Sequence, residues 1–217
     1  MFLIKAVIFD FDGTLADTLP VCFFAFQAVF REFDNRELTS EEIKAMFGPS
    51  ETGIIRKNLM NNDYEKAIEL FYEKYNGEHQ NLVRKNEKIN NLLRRLKKEG
   101  YKLGIYSGKA RRSLDISLKC LEMDHYFDVV ITGDDVKLPK PHPEGINRAL
   151  KQLKVSHDEA IFLGDSDADI LAGKHAMIHT IGVQWLPNYQ TIEFSVQPDE
   201  IYSNINDFNL FLTELSI

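Results

Sequence analysis

Apolar residues along this chain fall into two patterns. Short, mainly apolar runs rich in Ile, Val and Phe occupy residues 3–9, 102–106, 127–131, 160–163 and 180–183. Runs of that length and composition read as strands buried on both faces. Between the later runs, apolar positions recur every three or four residues and predict helices over 110–122, 143–153 and 167–176. Pro143 suits a first helical turn. Strand alternating with helix predicts an α/β fold with a parallel sheet covered on both faces. Right-handed crossovers then favour a doubly wound, Rossmann-like topology.

From about residue 18 to 99 the strand pattern disappears. Leu19, Cys22, Phe23, Phe26, Phe30 and Phe33 share one helical face, read as packing inside a helical unit. "TSEE", beginning at Thr39, matches a capping box before a short helix. "FGPSETG", beginning at Phe47, reads as a loop, and helices are predicted over 52–60 and 63–75. "YNGEH", beginning at Tyr75, reads as a stop. A helix over 86–99, with Ile89, Leu92, Leu93 and Leu96 on one face, ends at Gly100 and returns the chain to the sheet. Residues 15–80 therefore form an expected all-helical insertion in a core made of residues 1–14 and 81–217.

Composition narrows the function. The 217 residues are 44% hydrophobic and 27% charged, enough for a sizeable core. Asp and Glu outnumber Lys and Arg by 33 to 26, a net charge of −7 that argues against nucleic acid and anionic membrane surfaces as partners. Lys5 and Asp10 interrupt the N-terminal apolar run, unlike a signal peptide. No window approaches the roughly 18–20 apolar residues of a membrane span. A soluble cytoplasmic protein, monomer or homodimer, is the expectation. Cys22 and Cys120 fall at apolar helical positions and read as small buried hydrophobes without a disulfide framework.

In open α/β sheets ligands bind beyond the carboxyl ends of the strands. The first predicted strand ends at Asp10 and Asp12, and the second at Ser107, Gly108 and Lys109. Lys140 follows the third at a short distance, and Asp165, Asp167 and Asp169 follow the fourth. Several carboxylates at one edge repel one another unless a cation joins them, and an all-oxygen set beside phosphate favours Mg²⁺. A carboxylate nucleophile can form an acyl-phosphate. A second carboxylate can then serve as acid and base, with hydroxyl, amide and lysine groups meeting the phosphoryl charge. "GIYSGKA" fails as a P-loop, with three residues between its glycines and Ala110 after the lysine. "DSDAD" fails as an EF-hand, with Ile170 where Gly is needed and Ala176 where Glu is needed.

"FDFDGTLADT", "YSGK", "KPHP" and "GDSDADILAG" resemble the four motifs of the haloacid dehalogenase-like superfamily, nearest its phosphoglycolate-phosphatase-like branch with a helical cap. The resemblance implies Asp10 as nucleophile and metal ligand. It implies Asp12 as general acid and base, lending its backbone carbonyl to Mg²⁺ and pointing its side chain away. Thr14 is expected beside the substrate, orienting Asp12. Ser107 and Gly108 are expected to hold the transferring phosphoryl group and Lys140 to neutralise it. Asp165 is the expected metal ligand, with Asp169 a ligand or the partner of Lys140. In "FGPSE", Gly48 and Ser50 or Glu51 are candidates to meet the leaving group, and Arg56 and Lys57 to reach an anionic substrate. Two departures stand out: Gly108 where the family usually has Asn, and Leu186 in "GVQWLP" where it usually has Gly. The implied activity is a Mg²⁺-dependent phosphatase of a small phosphorylated metabolite. The alternative is a sugar phosphomutase of the β-phosphoglucomutase type, whose turn usually reads Asp-Gly-Val.

Overall fold

The computed structural model describes residues 4–215, the side chains of residues 214 and 215 excepted. Leu3, the first residue of the first predicted strand, lies outside the described residues. Six parallel strands form one sheet: β1 (Ala6–Phe9), β2 (Lys102–Tyr106), β3 (Val129–Ile131), β4 (Ala160–Gly164), β5 (His179–Val183) and β6 (Glu200–Tyr202). Their order is β3-β2-β1-β4-β5-β6, the doubly wound arrangement. Phe9 lies opposite Ile105 of β2 on one side and Leu163 of β4 on the other. The carboxyl ends of these three strands therefore finish in one row, at the point where the strand order reverses.

β1 has no solvent exposure. Val7 and Phe9 enter one apolar cluster while Ala6 and Ile8 enter the other, so its alternate side chains feed both layers. Each fully buried Val, Ile or Phe contributes about 1.5–3 kcal/mol of transfer free energy, and this burial holds the strand end in place. α7 (Glu144–Leu153) and α8 (Asp167–His175) supply Ile146, Leu150 and Ala172 to the layer of Ala6 and Ile8. α5 (Glu87–Lys98), α6 (Arg111–Cys120) and α9 (Ile205–Leu215) supply Leu92, Leu114 and Phe208 to the opposite layer.

Between β1 and α5 lie four helices: α1 (Leu19–Asp34), α2 (Ser40–Lys44), α3 (Glu51–Asn58) and α4 (Tyr64–Leu82). Phe26 of α1 packs on Phe71 of α4 with ring centroids 4.7 Å apart. Thr39 and Glu42 close the capping box of α2, and the Asn86 side chain caps α5. Gly100, at φ +88°, takes the chain out of that helix in a conformation suited to glycine.

Two expectations are corrected. α4 does not stop at "YNGEH" but runs on to Leu82, past residue 80. Gly77 costs about 1 kcal/mol relative to alanine there. That cost is offset by Phe71, Tyr75 and His79, which lie on one face and are all buried. The Tyr75 hydroxyl and His79 Nε2 both reach Ser117 Oγ of α6, at 2.7 and 2.9 Å. Cys22 is buried, but Cys120 is only partly so, because it lies in the last turn of α6; both thiols are free. No helix among the described residues is long and apolar enough to cross a membrane.

Candidate active site

The end of β1 is fixed by backbone hydrogen bonding. Asp10 N–H donates to the Leu163 carbonyl at 2.8 Å, continuing the ladder one residue past the strand. The chain then turns: Leu15 N–H donates to the Phe11 carbonyl at 2.9 Å and Gly13 N–H to the Ala16 carbonyl at 2.9 Å. Gly13 has φ +78°, and a Cβ there would lie 2.1 Å from Asp165 Oδ2, so any side chain would displace that carboxylate. The Trp185 indole N–H donates to the Thr14 carbonyl at 2.7 Å and pins the turn from the far side.

Asp10, Asp165 and Asp169 are all buried, and one oxygen from each lies within 4.8 Å of the others. Lys140 Nζ lies 2.7 Å from Asp10 Oδ1 and 2.5 Å from Asp169 Oδ1. Asp169 is placed by the capping box of α8, where Ser166 N–H donates to its other oxygen at 3.1 Å. Asp165 Oδ2 accepts from Gln190 N–H at 2.6 Å. Burial pushes the Asp10 carboxyl up to about 7; Lys140 pulls it down, and Asp169 and Asp12 push it up again. Burial, then Asp10 and Asp169, raise Asp165 well above the usual carboxylate range. Burial alone would lower Lys140, but Asp10 and Asp169 hold it above its ordinary value, so it stays charged. Three buried carboxylates facing one ammonium leave an excess of negative charge. This all-oxygen donor set fits a hard divalent cation.

Asp12 lies outside that cluster. Its Oδ1 accepts a hydrogen bond from the Thr18 hydroxyl and lies 3.1 Å from Lys109 Nζ. Lys109 is buried, 3.2 Å from Glu51 Oε1 and over the Tyr75 ring at 4.7 Å. Burial lowers it, yet Asp12, Tyr75 and Glu51 together hold it well above its ordinary value. Glu51 in turn accepts from Ala110 N–H and from the Ser113 hydroxyl. Ala110 begins α6 without a side-chain cap of its own, so Glu51 places a negative charge at that helix N-terminus.

Thr14, expected to orient Asp12 and to meet substrate, has a buried hydroxyl with no hydrogen-bond partner among the described residues. The hydroxyl that donates to the Asp12 carboxylate is that of Thr18. Thr18 precedes α1 but makes no side-chain cap there.

Asp10, Asp12, Glu51, Lys109 and Lys140 border a cavity of about 460 Å³ that is also lined by Ser107, Gly108 and Gly48. Ser107 Oγ accepts from Lys109 N–H at 3.3 Å. A Cβ on Gly108 would meet nothing within 4 Å, so the room of the family's usual Asn side chain is left open. Ser50 does not line the cavity, and its hydroxyl lies 3.2 Å from that of Thr52. Arg56 and Lys57 are exposed and do not line it either; Arg56 pairs with Glu65 at 2.6 Å. The sequence reading assigned no role to Thr18, Lys109 or Gln190. The first two sit inside quoted motifs, and only Gln190 carries no local signal.

Residues 7–183 match the family model described as haloacid dehalogenase-like hydrolase. The pyrophosphatase PpaX of Bacillus mycoides is 32% identical over 216 residues, which cover 98% of this chain and 99% of that protein. A predicted phosphoglycolate phosphatase from Haemophilus somnus superposes with a TM-score of 0.84 at 21% identity, covering 96% of this chain and 97% of that one. CbbY from Rhodobacter sphaeroides, solved in complex with phosphate, also reaches 0.84, at 22% identity over 95% and 96% of the two chains.

Proposed function

This chain belongs to the haloacid dehalogenase-like hydrolases, and we propose that it is a Mg²⁺-dependent phosphatase of a small phosphorylated metabolite. The observation that carries this reading is the separation of two carboxylates two residues apart in the sequence. Asp10 lies in the acidic cluster with Lys140, and Asp12 is turned to Thr18 and Lys109. A nucleophile and a proton carrier need such different surroundings.

The Asp10 carboxylate attacks phosphorus. An Asp10 O–P bond forms, the bond from phosphorus to the ester oxygen breaks, and Asp12 gives its proton to the departing oxygen. Asp12 then takes a proton from a water molecule, whose oxygen attacks the aspartyl-phosphate and releases phosphate with Asp10 restored. Asp10, Asp165 and the Asp12 carbonyl would hold Mg²⁺, with Asp169 as a further ligand or as the group that positions Lys140. When bound, the ion neutralises charge on the phosphoryl oxygens. Lys140 does the same from the protein side, and Ser107 Oγ and Gly108 N–H receive phosphoryl oxygens. The helical segment 15–80 serves as the cap, with Gly48 letting backbone approach the leaving group.

Phosphate release from a panel of phosphomonoesters tests the reading. Turnover should require Mg²⁺, stop with EDTA and vanish in Asp10→Asn. A mutase would instead need a sugar bisphosphate to start and would release little phosphate, so turnover without bisphosphate separates the two.

A further inference from the structure

The charged side chains of the cavity lie mostly on one wall. The sheet side contributes Asp10, Asp12, Lys109 and Lys140. The inserted helices contribute Leu19, Cys22, Phe26, Phe47, Pro49 and Ile54, with the backbone of Gly48 and a single charged side chain, Glu51. That one charge is negative and already engaged by Ala110 N–H, the Ser113 hydroxyl and Lys109. Lys109 is shared between Glu51 and Asp12 and is 1% exposed, so it is not on offer to a ligand. Three other cations of the inserted segment, Lys44, Arg56 and Lys57, do not line the cavity. Lys44 Nζ donates to the Gln190 carbonyl at the cavity's edge at 2.6 Å, Arg56 pairs with Glu65, and Lys57 is exposed. Burial pushes the Cys22 thiol up, which keeps it neutral.

From this geometry we infer that the substrate's leaving group is uncharged and largely apolar, an alkyl or aryl alcohol esterified to phosphate. This rests on the phosphatase reading and narrows it. Phosphoglycolate and inorganic pyrophosphate both leave as anions. A carboxylate or second phosphate in the outer half of the cavity would be desolvated against Leu, Phe and Ile with a glutamate as its ionic neighbour. Burial of a charge without a partner is strongly unfavourable, whereas an alkyl or aryl group gains about 25 cal/mol per Å² of apolar surface it buries. The cavity volume of about 460 Å³ exceeds what a phosphoryl group alone needs and falls among the roughly 300–1,000 Å³ of small-molecule sites.

Propyl phosphate and phosphoglycolate form a matched pair of similar length, differing in the carboxylate. With Mg²⁺-loaded wild-type protein, kcat/KM for propyl phosphate should exceed that for phosphoglycolate and for pyrophosphate by about tenfold or more. Equal or better turnover of either anionic substrate overturns the inference. Phe47→Lys and, separately, Pro49→Lys place a cation on the apolar wall at partly exposed positions. Each should shift the ratio at least about tenfold towards phosphoglycolate, and unchanged ratios in both folded variants overturn the role of this wall. If no ester is hydrolysed, the phosphatase reading fails. The inference is then decided by calorimetric titration of Asp10→Asn with the same pair, where tighter binding of propyl phosphate supports it and tighter binding of phosphoglycolate refutes it.

Discussion

Glu51 accepts a hydrogen bond from the Ser113 hydroxyl at 2.6 Å, joining α3 of the inserted helices to α6 beside the sheet. The same carboxylate lies 3.2 Å from Lys109, which lies 3.1 Å from Asp12. A residue of the insertion is thus two contacts away from the proposed proton carrier, and the position of the insertion is linked to the placing of Asp12.

Glu51→Ala removes one partner of a buried pair and should destabilise the fold by about 3 kcal/mol. Glu51→Gln keeps an acceptor for Ser113 and should cost about half as much. Urea denaturation of both, with Lys109→Met and the double variant, checks this. The Glu51 and Lys109 losses should be less than additive, because either one alone leaves the other's charge buried without that partner.

Thr18 and Thr14 should behave oppositely although both are buried threonines of the same motif. Thr18→Val frees the Asp12 carboxylate to turn and should lower kcat about ten- to a hundredfold with little change in KM. Thr14→Val removes a hydroxyl with no hydrogen-bond partner among the described residues and should leave kcat within about twofold and stability equal or higher. Steady-state kinetics with thermal melts reads both.

In metal-free protein, Asp10 contributes stability that is lost as pH rises. Asp10 titrates at about 7 in the fold against 3.8 unfolded, so between these values the folded chain binds the extra proton. The Asp10 contribution therefore falls from pH 3.8 upward and levels off above about 7, most cleanly seen above 6.5, where His79 no longer opposes it. Mg²⁺ should reverse the trend near neutral pH. Asp165→Asn should raise the melting temperature in EDTA while blunting the rise that Mg²⁺ produces. Calorimetric scans with and without Mg²⁺ test it.

His79 predicts an acid limb of the opposite sign. Burial, then Lys109, lower its pKa from 6.5 to about 4, with Asp12 opposing. Between these values the unfolded chain binds the proton, so stability is lost as pH falls from 6.5 towards 4. In Mg²⁺-loaded protein, His79→Leu should melt with a flatter pH profile over that window than wild type.

The legible parts of this fold are those buried on both faces. β1, β2 and β4 carry mainly apolar runs, and every described residue but Lys102 is fully covered. β6 gave no such signal. It is a three-residue edge strand, with Glu200 and Ile201 exposed, and α9 after it was also not anticipated. Asp10, Lys140, Asp165 and Asp169 were marked by their place after strands, and the sheet register brings them together. The links from Glu51 to Lys109 and from Thr18 to Asp12 depend on how the insertion folds back. No spacing in the sequence encodes that. Thr14 was expected beside Asp12 from the motif alone, and its buried hydroxyl makes no hydrogen bond among the described residues.

The chain contains one tryptophan, Trp185, and its indole donates to the carbonyl of Thr14 inside the turn that follows Asp10. The molecule therefore carries its own optical reporter at the turn beside the proposed nucleophile. Its emission comes from a single site, so a spectral shift on adding Mg²⁺ or a phosphate ester can be assigned to that turn without a label.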